Sequence, residues 1–74
     1  MLITIKLFAT FRQDRFRVAE RDVAEGTTVA DVLRALDIDE PEVGMLFVRG
    51  RHVETDRVLV EGDALAIFPL VGGG

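Results

Sequence analysis

Only one stretch of this 74-residue chain has an apolar pattern of helical period: EGTTVADVLRALDID, residues 25–39. Val29, Val32, Leu33 and Leu36 fall at i, i+3, i+4 and i+7, one stripe along a helix. Thr28 is a suitable N-cap, and Asp31 three positions later completes an approximate capping box. The pattern stops near Asp37, and Pro41 prevents its continuation. The remaining apolar runs read as strands. In Leu2 to Phe8, Ile3, Ile5 and Leu7 share one face while Leu2, Thr4, Lys6 and Phe8 share the other. ATFRQD then breaks the alternation and reads as a loop. Arg15 to Val23 sets Phe16 and Val18 against Arg15 and Arg17, as an antiparallel partner with one wet face would. Gly44 to Gly50, a short HVE segment at residues 52–54, and Ala64 to Leu70 supply the rest. Turns at Arg49-Gly50-Arg51 and Glu61-Gly62-Asp63 separate them. Pro69 cannot donate to a ladder, so pairing should end about there. The order strand, strand, helix, strand, short strand, strand predicts an α+β domain. One face of its sheet lies under the helix and the other is exposed.

Size and charge narrow the function. The chain makes one domain, which buries about 60% of the surface its unfolded form exposes. It has no cysteine, which removes disulfides and thiolate metal sites and fits a reducing, cytoplasmic setting. The N-terminal MLITIKLF has no basic leader region, and no run approaches the ~18 apolar residues of a membrane span. Neither a membrane nor a nucleic acid is expected as a partner. The formal charge is −4, whereas phosphate contacts need clustered cations. Arg12, Arg15, Arg17 and Arg21 do cluster, but among Asp14, Glu20 and Asp22, and read as a solvated hairpin.

No catalytic constellation can be assembled. The single histidine, His52, sits beside a turn. Asp37, Asp39, Glu40 and Glu42 lack the glycine spacing and closing glutamate of a calcium loop, and read as a solvated helix exit. No glycine-rich phosphate loop is present, and no bound cofactor or metal is expected. The chain's end, FPLVGGG, is where chemistry remains. A terminal glycine carries an α-carboxylate that is ionised at neutral pH. Such a group is a poor electrophile until a separate enzyme adenylates it. Val71 to Gly74 extend roughly 14 Å, and their lack of bulk suits a narrow channel in a partner.

KLFATFR near the start, GTTVADVL at the helix entry and EGDALAIFPLVGGG at the end coincide in order. With them the chain resembles the MoaD/ThiS family of ubiquitin-like β-grasp sulfur carriers over its whole length. The resemblance implies a mixed sheet of four to five strands packed on one main helix, over residues 1–70, with a flexible C-terminal tail at 71–74. It implies that an E1-like enzyme of the MoeB/ThiF type, with ATP, adenylates the carboxylate of Gly74, the last residue of the terminal Gly73-Gly74 pair. A sulfur donor such as a cysteine desulfurase or a rhodanese would then yield a thiocarboxylate. The acceptor implied is the large subunit of molybdopterin synthase, or thiazole synthase for the thiamine-type carriers. The carrier itself is not an enzyme, though it can be the small subunit of one. The molybdopterin-type carriers commonly have a second proline where Leu70 stands, and the three-glycine ending, with Gly72 extra, looks more like the thiamine type. LFATFR and IFP resemble the molybdopterin type, and the reading follows those two motifs. A ubiquitin-like modifier forming an isopeptide bond, and a β-grasp interaction module with an idle tail, are the other readings.

Partner-binding residues follow from the same resemblance: Phe8, Arg12, Phe68, Pro69, Leu70, Val71 and Gly72. Phe8 and Phe68 have the parity of the strand faces opposite the core. They form an apolar docking patch if exposed, and are plain core if buried. Arg12 either pairs with an acidic loop of the partner or is solvated.

Overall fold

A computed structural model of the chain describes residues 1–71. Its strands are β1 (Leu2–Leu7), β2 (Val18–Asp22), β3 (Val43–Val48), β4 (Arg51–His52) and β5 (Ala64–Pro69), with one helix, α1 (Val29–Ala35). They form one sheet in the order β2-β1-β5-β3-β4. The central pair β1–β5 is parallel; β1–β2, β3–β5 and β3–β4 are antiparallel. This is the expected β-grasp.

Register explains the core. Ile5 lies opposite Leu65 and Leu7 opposite Ile67, while on the far side of β5 Ile67 faces Leu46 and Leu65 faces Val48. All are buried beneath Val29, Val32 and Leu33 of α1, with Leu65, Ile67 and Leu7 wholly enclosed. The period-two strand pattern and the helical stripe thus meet on one interface.

Local signals set the ends of α1. The Thr28 hydroxyl accepts from the Asp31 amide, and the Asp31 carboxylate accepts from the Thr28 amide at 2.9 Å, a complete capping box. The helix closes before Pro41 is reached. Asp37 takes a left-handed φ of 61°. The Ile38 amide then donates to the Leu33 carbonyl, and the Asp37 amide to that of Arg34, at 2.9 and 3.1 Å. That closure tucks Ile38 into the core. The Thr28 backbone and hydroxyl bonds, followed by Arg34, hold the Asp31 carboxyl below its ordinary value of 3.8. A lowered folded-state pKa adds stability that is complete above the unfolded value and fades as pH falls through the folded one. Asp31→Asn should therefore lower the thermal midpoint at pH 7, and the difference from the unsubstituted chain should shrink steadily below pH 3.8, in melts followed across the acid range.

Four expectations need correction. The second strand begins at Val18, not Arg15, and its inward face is not Phe16 and Val18. Val18 pairs with Lys6 on the open face and is 59% exposed, because the register sets Ala19 and Arg21 opposite Ile5 and Ile3. Phe16 precedes the strand and packs against the core edge. ATFRQD is not simply a loop: Ala9–Arg12 form a 3-10 helix whose Phe11 closes the core's end. The clustered arginines are not merely solvated. Arg15 donates to the Leu36 and Asp37 carbonyls, where a cation suits the C-terminal end of α1, and Arg21 lies 4.9 Å from the Phe16 ring. The fourth strand is Arg51–His52, after which Val53 turns inward.

Candidate functional site

The open face of the sheet gathers aromatic side chains from four elements. Phe8 follows β1 and Phe68 lies near the end of β5; their rings stack at 4.0 Å and 10°. Phe47 of β3 meets Phe68 edge-on at 5.9 Å, and His52 of β4 meets Phe47 in the same way. Parity accounts for the gathering. Phe47 is the partner of both Ala66 and His52, and Met45 that of Phe68, so all project away from the helix. Phe8 and Phe68 are therefore outside the core, each half-buried by the other. Stacked and edge-on aromatic pairs add ~0.5–1.5 kcal/mol per pair beyond area burial. Ala64 and Ala66 are too small to fill the sheet surface beside these rings. They floor a shallow depression rimmed by Lys6, Phe47, Arg49 and Phe68. Met45, 48% exposed, extends the apolar surface past Phe68.

Cations border the patch although the chain is acidic. The Arg12 Nε–H donates to the Leu7 carbonyl at 2.8 Å, which sets its guanidinium 5.3 Å from the Phe8 ring centroid. Arg12 is thus held in place rather than merely solvated. Arg49, at a left-handed φ of 52°, reaches back to the buried carboxylate of Asp63 at 3.0 Å. That carboxylate also accepts from the Val60 amide at 2.9 Å, with Arg57 at 3.7 Å, so its charge is compensated. Asp63 ties the turn before β5 to the turn after β3, and so fixes both margins of the depression.

β5 carries the chain out of the sheet beside this patch. Its last ladder partner is Val43, opposite Pro69, as the missing proline N–H requires. One further backbone bond follows, from the Leu70 amide to the Glu42 carbonyl at 2.9 Å. Leu70 and Val71 are then 56% and 80% exposed. Of the residues singled out from sequence, Phe8, Arg12, Phe68, Pro69, Leu70 and Val71 lie in one continuous region. Gly72, Gly73 and Gly74 lie outside the described residues. Sequence reading missed Phe47, Met45, His52 and Arg49. The available signal was that GMLFVRG is apolar at both parities, so one set had to face away from the core. Among the described residues no cluster of three metal-capable side chains occurs, and no helix is long and apolar enough to cross a membrane.

Comparison with known proteins agrees with this geometry. The ThiS family model matches residues 5–74. The HVO 2177 protein of Haloferax volcanii is 30% identical, with a TM-score of 0.80, over 100% of this chain and 87% of the other. A Pyrococcus furiosus protein described as molybdopterin converting factor subunit 1 is 29% identical, with a TM-score of 0.77, covering 96% and 99%. SAMP1, a small archaeal modifier protein of Haloferax volcanii, is 27% identical, with a TM-score of 0.77, over the whole of both chains. A search of curated proteins gives no match.

Proposed function

Because this chain belongs to the ThiS family of ubiquitin-like sulfur carriers and modifiers, we propose that it carries sulfur as a thiocarboxylate on Gly74 for molybdopterin formation. A carboxylate oxygen of Gly74 attacks the α-phosphorus of ATP bound to an E1-like enzyme, and pyrophosphate leaves. A persulfide carried by a cysteine desulfurase or a rhodanese then attacks the acyl carbon and displaces AMP. A second thiol cleaves the resulting acyl disulfide, releasing the thiocarboxylate and leaving a disulfide on the donor. The thiocarboxylate sulfur passes to a pterin precursor in the large subunit of molybdopterin synthase. The carrier supplies no acid, base or metal. Its contributions are a docking surface and a tail that reaches.

The observation that carries this reading is the aromatic patch beside the chain's exit. Phe8, Phe47 and Phe68 give a rigid apolar anchor, and Arg12 and Lys6 favour an acidic rim on the partner. Likeness to the Pyrococcus protein supports the pterin branch. Likeness to SAMP1 supports a second reading, in which activated Gly74 forms an isopeptide bond with a lysine of another protein.

The test is a mass measurement on the C-terminal peptide after incubation with an E1-like enzyme, ATP and a sulfur source. The expected result is the mass gain of an oxygen-to-sulfur exchange. Absence of that gain, together with higher-mass protein adducts that disappear when Gly74 is deleted, would establish the modifier in its place.

A further inference from the structure

The place where the chain leaves the sheet is built more closely than a strand end requires. β3 carries an extra residue there: Val43 pairs with Pro69 and Met45 with Phe68, which leaves Gly44 as an unpaired bulge. A Cβ placed on Gly44 would meet the Pro69 carbonyl oxygen at 2.6 Å, its carbon at 3.0 Å and the Leu70 Cα at 3.1 Å. All three are backbone atoms, so no side chain can rotate aside to make room. The φ of Gly44 is not in the left-handed region, so space and not conformation demands glycine here. On the same side, the Leu70 amide donates to the Glu42 carbonyl at 2.9 Å. Glu42 in turn ends a 3-10 helix, Glu40–Glu42, with Pro41 inside it and its own amide bonded to the Asp39 carbonyl at 2.9 Å. The backbone at 69–70 is therefore gripped from residues 42–44 both by close contact and by a hydrogen bond to a stiff turn.

We propose that Glu42 and Gly44 form a clamp that fixes the root of the tail at Pro69 and Leu70, and that Gly44 is thereby a positioning residue for the chemistry at Gly74. The proposal rests on the carrier reading above. Docking through the aromatic patch fixes the domain on its partner, and the clamp fixes where the chain leaves the sheet, at Pro69 and Leu70. Four residues span at most roughly 14 Å from a root that the clamp fixes, and a Cβ on Gly44 must push Pro69 and Leu70, and so that root, away from β3. A misplacement of about 1 Å is enough to cost ~100-fold in a positioned reaction. The Phe8–Phe68 stack lies on the open face, whereas the three atoms nearest a Cβ on Gly44 belong to the backbone of Pro69 and Leu70. Clamp and patch are thus separable by substitution.

Two measurements decide the matter. In the unsubstituted chain the Leu70 amide should exchange with solvent markedly more slowly than that of Val71; equal exchange would overturn the clamp. With the E1-like enzyme, Gly44→Ala should lower kcat for ATP–pyrophosphate exchange at least ~10-fold. KM should change little, and Leu70 protection should be lost. An unchanged kcat would overturn the positioning role, as would a rise in KM alone. If the unsubstituted chain supports no pyrophosphate exchange, the carrier reading fails instead, and amide protection at Leu70 still judges the clamp. Should Gly44→Ala fail to fold, the wild-type exchange measurement stands by itself.

Discussion

Deleting Gly74 is expected to lower the rate of adenylation by at least ~100-fold. The variant still ends in two glycines, keeps the terminal charge and leaves the folded domain untouched, so only the reach changes. One residue spans about 3.5 Å, which exceeds the tolerance of a positioned displacement. Converting the Gly74 carboxylate to an amide should remove the reaction altogether, since no acid oxygen remains to attack ATP. The measurement is pyrophosphate exchange with the E1-like enzyme. A deletion variant as fast as the full chain would show that the carboxylate is not delivered at a fixed depth, and an active amide would end the carrier reading.

The second large effect separates docking from folding on a single strand. Phe68→Ala should raise KM for the E1-like enzyme about 30-fold, the effect of losing ~2 kcal/mol at an aromatic anchor. The ring stacks on Phe8 and braces Phe47, so its loss loosens the whole patch. The domain should still fold, because Phe68 lies outside the core. Leu65→Ala, three residues earlier and of opposite parity, should do the reverse. Leu65 is wholly buried between Ile5, Val48 and the helix. Truncating such a leucine costs ~2–5 kcal/mol, a large share of a small domain's stability. Denaturant melts and KM values for both variants check the contrast. A Phe68→Ala protein that docks normally would remove the patch from the interface.

Much of the fold could be read in the chain because each local signal acts alone. The capping box at Thr28 and Asp31 needs only four consecutive residues, and the stripe on α1 needs only the helical period. Ile3, Ile5 and Leu7 are placed inward by alternation. Val18 shows where this reasoning stops. Its apolar character suggested an inward face, but an edge strand takes its facing from the neighbour's register, and Lys6 was opposite. The helix does stop near Asp37, where its apolar pattern ends, but the left-handed turn that closes it could not be read from the pattern.

The candidate site divides in the same way. Phe8, Phe68 and Arg12 stand out from the sequence by parity and by motif, and Pro69 marks the end of pairing by its missing donor. By itself, the sequence determined one helix on a sheet, the two faces of β1 and β5, and a glycine-ended exit. These follow from backbone periodicity and from single-residue chemistry. Only the tertiary structure decided that Phe47 and His52 join the aromatic patch, that Asp63 holds Arg49 from inside the domain, and that Gly44 lies against Pro69 and Leu70. Those residues are brought together by pairing β5 with β1 on one side and β3 on the other. Contacts between separate elements of the sheet and its turns leave no local pattern for the sequence to carry.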